Sequence, residues 1–141
     1  MVNFFAPDTV PARYAGRLLY RHNAVVTLMR TTPEECARIG AGMAAKLAAA
    51  KGPTAVLLPG RGVSAIDREG QPFWDPAARR ALHDAIRAGS GPVRVEELDL
   101  HINDSAFAEA AARTLLALMG RPSAAAEARR ADGSGRQQED S

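Results

Sequence analysis

The sequence contains one cysteine, Cys36, and only 5% aromatic residues. A single thiol excludes a disulfide framework and a cysteine zinc site within one chain. No run of eighteen apolar residues is present, so there is no membrane span of the usual helical kind. The start lacks the charged-then-apolar order of a signal peptide, and a cytoplasmic location is expected. Neither sign of charge dominates: 18 basic residues face 16 acidic ones, net +2, with no Lys/Arg cluster of the type that binds nucleic acid. The scattered Tyr14, Tyr20, Phe73 and Trp74 form no base-stacking platform. Large apolar side chains are scarcer than the 46% hydrophobic fraction implies, because alanine alone supplies 29 residues. What remains is enough for one core, not two.

What is present reads as strand, loop and helix, three times over. Residues 24–29 are a short apolar run rich in β-branched side chains, as in a buried parallel strand. Thr32, Pro33 and Glu35 then supply an N-cap, a proline at N1 and the third position of a capping box. Cys36, Ile39, Gly40, Met43, Ala44 and Leu47 recur at helical spacing and predict one buried face. Residues 54–58 are a second buried strand. Asp75 and Pro76 open a helix over 77–88, on which His83 is expected to be solvated among Arg80, Asp84 and Arg87. Residues 93–100 form a third strand whose alternation slips at Glu96 and Glu97, predicting a bulge, bend or edge position. A last helix carries Phe107, Ala111, Leu115 and Leu118, capped by Asn103 or Asp104. Residues 1–5 read as a strand end, as if the chain starts inside a fold. Residues 121–141 have only alanine as an aliphatic residue and are expected to form a disordered tail beyond a folded part over 1–120.

This pattern predicts an α/β fold with a mostly parallel sheet. Ligands in such folds lie beyond the carboxyl ends of the strands, which selects three loops. Arg30 and Thr31 lie in the first, where nothing structural requires Arg30. In the second, Arg61, Gly62 and Ser64 can cradle an anion, though a glycine-bearing turn explains them equally well. The third holds His101, Asn103 and Asp104, an incomplete metal set but a possible acid/base or phosphate contact. His22 and Asn23 are expected at a turn on the opposite edge, and Cys36 as a buried thiol.

Several of these segments resemble one family. They are Met-Val-Asn-Phe at 1–4, Ala-Pro-Asp-Thr-Val-Pro at 6–11, His22-Asn23 and Val-Thr-Leu-Met-Arg-Thr-Thr-Pro-Glu-Glu at 26–35. Arg-Gly-Val-Ser-Ala-Ile-Asp at 61–67, Gly-Gln-Pro-Phe at 70–73, Asp75-Pro76 and His-Ile-Asn-Asp at 101–104 continue the match. Together they are similar to the Tm-one-like ATP-binding family, related to the N-terminal region of the tomato mosaic virus resistance protein. That resemblance implies a three-layer Rossmann-like fold, incomplete at its N-terminus, because members are much longer and have two α/β domains. It implies a nucleotide ligand, ATP with or without magnesium. It places Arg30, Thr31, Arg61, Gly62, Ser64, His101, Asn103 and Asp104 at motif positions. The chain departs from the family pattern at Phe5, expected to crowd the first loop, and at Gly60, where a larger apolar residue is usual.

Three functions follow as expectations. The first is an ATP-binding module with no assigned reaction, the product of a truncated gene. The second is an enzyme acting on a phosphorylated or carboxylated small molecule, with His101 and Asp104 as acid/base. The third is a ligand-free interaction protein that joins a second copy or a separately encoded N-terminal half.

Overall fold

The computed structural model describes residues 1–120; the tail expected over 121–141 lies outside the described residues. The described residues are α/β and contain two small sheets. β1 (Val2–Phe4), β2 (Leu19–Asn23) and β3 (Val26–Met29) form the first, with β3 in the centre and antiparallel to both neighbours. Two short 3-10 turns, Pro7–Thr9 and Ala12–Tyr14, fill the connection from β1 to β2. β4 (Ala55–Pro59) and β5 (Arg94–Leu98) form the second sheet and run parallel. The helices are α1 (Pro33–Ala48), α2 (Pro76–Gly89) and α3 (Ser105–Leu118).

The expectation of a mostly parallel sheet is therefore met only at β4–β5. β3 is the return strand of a hairpin, because β2 precedes it where sequence reading placed a turn. Leu19 and Tyr20 supply only a short apolar signal before the polar Arg21, His22 and Asn23, which leaves β2 without clear alternation. Asn23 does turn the chain: its Oδ1 accepts the Val25 amide at 2.9 Å. β5 pairs residue for residue with β4 from Ala55↔Arg94 to Pro59↔Leu98, so the expected bulge is absent and the edge position holds among the described residues.

α1 begins as its sequence requires. Thr32 accepts the Glu35 amide at 3.2 Å, and the Glu35 carboxylate accepts the Thr32 amide at 2.9 Å. Its buried face is the small-residue line Cys36, Gly40 and Ala44. Ile39 and Met43, predicted inside, are exposed instead. The reason is the closeness of α2: a Cβ on Gly40 would lie 2.6 Å from the Leu82 carbonyl oxygen, and one on Gly89 would lie 2.9 Å from Ala44 Cβ. Only small residues fit that contact, and larger ones are turned away from it.

His83 corrects a further expectation. It is buried on α2, with Nδ1 3.3 Å from Glu97 of β5, and Glu97 also pairs with Arg87. Burial pushes the His83 pKa below its ordinary value near 6.5. Glu97 opposes that shift, while Arg87 and Arg79 add to it. The folded state thus holds a neutral ring, whereas the unfolded chain binds a proton as the pH falls through about 6.5. The stability this ring supports is complete above that value and is lost as pH falls from there toward the lowered folded pKa. The urea midpoint is expected to fall between about pH 7.5 and 5.5, and His83→Gln is expected to flatten that decline. An unchanged slope in the variant would show that another group carries it.

Candidate functional site

The connection between β4 and α2 covers residues 60–75. That is long beside the two to six residues usual after a strand in α/β units, and loops of this length commonly carry function. It is fastened to the loop after β5 by backbone hydrogen bonds. The Gly60 amide donates to Leu98, the Arg61 amide to Leu100, and the Ile102 amide to Gly62, at 2.7, 3.0 and 3.1 Å. The two loops thus prolong the parallel ladder past the carboxyl ends of its strands.

Gly62 is packed against both its own loop and the second one. Its φ is +131°, and a Cβ there would lie 1.8 Å from the Asp67 carbonyl oxygen and 2.8 Å from His101 Cδ2. At Gly60 a Cβ would meet the Leu98 carbonyl oxygen at 2.9 Å, so the larger apolar residue expected there does not fit this backbone.

His101 is buried and saturated. Its Nδ1 accepts the Asn103 amide at 3.1 Å, and its Nε2 lies 2.9 Å from the Ser64 carbonyl oxygen. An amide can only donate and a carbonyl can only accept, so the neutral Nε2–H tautomer satisfies both contacts. Asp104 is equally occupied. Its Oδ2 accepts the His101 amide at 2.8 Å and its Oδ1 pairs with Arg68 at 3.3 Å. It stands at the N-cap of α3 without a side-chain capping bond, because the carboxylate turns back to its own loop.

Beside these residues opens a polar cavity of about 460 Å³, lined by Ala65, Arg68, Gln71, His101 and Asn103. The amides of Ser64, Ala65 and Ile66 find no acceptor among the described residues. Ser64 Oγ is buried with no hydrogen-bond partner there either. Arg61 does not line the cavity; it makes a bidentate pair with Asp99 at 2.8 and 2.7 Å on the exposed surface. That guanidinium holds the Asp99 carboxyl below the usual range.

Arg30 and Thr31 lie apart from the cavity, and Arg30 has a structural task that sequence reading denied it. It is buried, with Nη2 3.4 Å from Asp67 Oδ1 and 3.4 Å from the Asp75 carbonyl oxygen. Arg79 reaches the same Asp67 oxygen at 3.7 Å and stacks over Trp74 at 4.4 Å. The other oxygen of Asp67 accepts the Val63 amide at 3.2 Å. Asp67 therefore ties the end of β3, the start of α2 and the 60–75 loop together. Arg17 supports the cluster from outside, donating to the Arg30 carbonyl at 2.9 Å and to both Glu35 oxygens. Arg17, and after it the Thr32 amide, hold the Glu35 carboxyl below the usual range. Thr31 Oγ1 sits 3.2 Å from the buried Cys36 thiol. Phe5, expected to crowd the first loop, is 78% exposed and crowds nothing.

The structure thus gathers Gly62, Ser64, His101, Asn103 and Asp104 at one place. It leaves Arg61 at the rim and sets Arg30 and Thr31 elsewhere. Sequence reading missed Arg68 and Gln71, which line the cavity, and the tying role of Asp67. Asp67 and Gln71 lie within the segments 61–67 and 70–73 that carry the resemblance, whereas the signal for Arg68 was only a polar stretch inside an unusually long connection after an apolar strand.

Comparison with known proteins gives a consistent picture. The family model for the C-terminal domain of an uncharacterised protein family, UPF0261, matches residues 1–119. A UPF0261 protein of Rhizobium meliloti is 61% identical over 114 residues, which is 79% of this chain and 29% of the relative. One from Clostridium tetani is 44% identical over 84% of this chain and 30% of its own length. The ToMV resistance protein Tm-1(GCR237) of Solanum lycopersicum is 39% identical over 78% of this chain and 15% of its own length. The chain spans less than a third of the length of these curated relatives.

Proposed function

This chain belongs to the UPF0261 family, as its C-terminal domain, and from that premise we propose that it is a nucleotide-binding module that holds the phosphates of ATP in the crevice beyond β4 and β5. One observation carries the reading: a polar cavity of about 460 Å³ lies at the carboxyl ends of the parallel pair, walled by Arg68, Gln71 and Asn103. In α/β sheets that edge is where ligands bind. Arg68 supplies the charge, the two carboxamides supply neutral donors, and the amides of Ser64, Ala65 and Ile66 lie on the same loop. In this reading the β4–β5 pair is part of a three-layer Rossmann-like sheet.

Binding requires exchanges that the geometry makes local. Arg68 is half exposed, so it can leave Asp104 for a phosphate oxygen while Asp104 keeps the His101 amide. Arg61 would give up Asp99, an exposed pair worth little in water. Magnesium would arrive with ATP, and Asp104, whose Oδ1 is freed when Arg68 turns to the phosphate, would be its carboxylate ligand. An acid or base role for His101 is less well supported, because both ring nitrogens already serve the loop.

Calorimetric titration of the chain with ATP and magnesium tests the reading. Arg68→Ala is expected to weaken binding about tenfold or more, since a charge-assisted contact contributes about 1.5–3 kcal/mol. Arg61→Ala is expected to do less. A folded wild-type sample that takes up no nucleotide, in the presence or absence of magnesium, would reject it.

A further inference from the structure

The two strands of the parallel pair are guarded unequally. β5 carries Arg94, Glu96 and Glu97, charges of the kind that discourage further pairing at a sheet edge. β4 reads Ala55, Val56, Leu57, Leu58 and Pro59, apolar on both faces and without a charge. A strand of that composition belongs in the interior of a parallel sheet covered on both sides. Among the described residues, however, β4 has a neighbour on one side only.

The helix beside it is unfinished in the same way. α3 presents Phe107, Ala111, Leu115 and Leu118 on one stripe but buries none of its residues. Between that stripe and Ala55 and Leu57 of β4 lies a mainly apolar groove of about 300 Å³, and Leu115 is 58% exposed at its side. Free edge and open groove adjoin each other, so one polypeptide can occupy both.

We propose that this surface seats the polypeptide that precedes the domain in UPF0261 proteins, which adds a strand to the free edge of β4 and covers the α3 groove. The choice of occupant rests on length. The chain matches a C-terminal domain, which by its description has polypeptide before it, and the match accounts for only 29–30% of the bacterial relatives, so these relatives hold ample further chain to cover the surface. The groove asks for an apolar partner, and the edge asks for one with strand-forming backbone. A preceding segment with an apolar strand supplies both. This docking is independent of the nucleotide reading.

Amide hydrogen exchange compares the 141-residue chain with the full-length Rhizobium meliloti relative. The amides of β4 and α3 are expected to exchange about 100-fold more slowly in the relative, while those of α1 in its contact with α2 change little. Leu115→Glu provides a second readout. In the chain it should leave the melting temperature unchanged, because Leu115 already faces solvent. At the aligned position of the relative it should lower the melting temperature by roughly 5–10 °C. If that variant of the relative does not fold, alanine there should give a smaller drop in the same direction. Equal exchange in both proteins overturns the proposal. Protection in the chain alone that grows with concentration assigns the surface to a second copy instead. Protection there that is independent of concentration assigns it to the chain's own residues 121–141. Either result overturns the proposal as well.

Discussion

Gly62→Ala is expected to destabilise the folded chain by about 3–5 kcal/mol, the range of severe core overpacking joined to backbone strain. Two costs coincide at this position. The φ of +131° is one that side-chain-bearing residues rarely adopt. The added Cβ would also fall 1.8 Å from the Asp67 carbonyl oxygen, a fixed backbone atom, and 2.8 Å from the His101 ring. Relief requires the 60–75 loop to open between Gly62 and Asp67 and to move Gly62 away from the 101–104 loop. That movement would break the Ile102–Gly62 hydrogen bond and the contact of His101 with the Ser64 carbonyl. Urea unfolding measures the loss. A decrease smaller than about 1 kcal/mol would mean that the loops part readily and that the crevice is not preorganised.

The second large effect is expected at Asp67, which is 1% exposed. Asp67→Asn keeps the shape and removes the charge, leaving Arg30 and Arg79 buried together without a counterion. Breaking one partner of a buried ion pair typically costs about 3–5 kcal/mol, because the remaining charge is uncompensated. Arg30→Met is expected to cost less, since Asp67 then still has Arg79 and the Val63 amide. The order of the two urea midpoints is the readout. If Arg30→Met proves the more damaging, the net positive charge of the cluster is not what Asp67 relieves. Nucleotide titration of any Arg30 variant that folds also separates the two roles considered for this residue. A structural role leaves affinity nearly unchanged.

The elements that were legible in the sequence have local causes. The capping box at Thr32 and Glu35, the proline-led starts of α1 and α2, and the apolar run of β4 depend on neighbours a few residues away. β2 and the direction of β3 were not legible, because hairpin pairing is decided by partners that a weak, partly polar strand does not announce. Burial of His83 and Arg30 was hidden for a related reason. Each is charged or titratable, and each goes inside only because a particular carboxylate distant in sequence meets it: Glu97 for the first and Asp67 for the second. Of the three loops that the strand-end rule singles out, the one at Arg30 and Thr31 lies apart from the cavity, and the two after β4 and β5, which border it, were legible as strand-end loops. Their inner wiring was not, since Arg68, separated by 36 positions from Asp104, gives no sign of its partner.

The close contact of α1 and α2 alters the meaning of the alanine-heavy composition. Residues such as Gly40, Ala44, Ala85 and Gly89 have no rotamers to lose, so burying them forfeits almost no side-chain entropy, whereas a longer side chain such as methionine forfeits up to about 2 kcal/mol. The helix pair gains the cohesion of near backbone-to-backbone packing at a small side-chain ordering cost, against which stands the larger backbone entropy that its glycines lose. A chain with few large apolar residues can therefore hold this layer firmly.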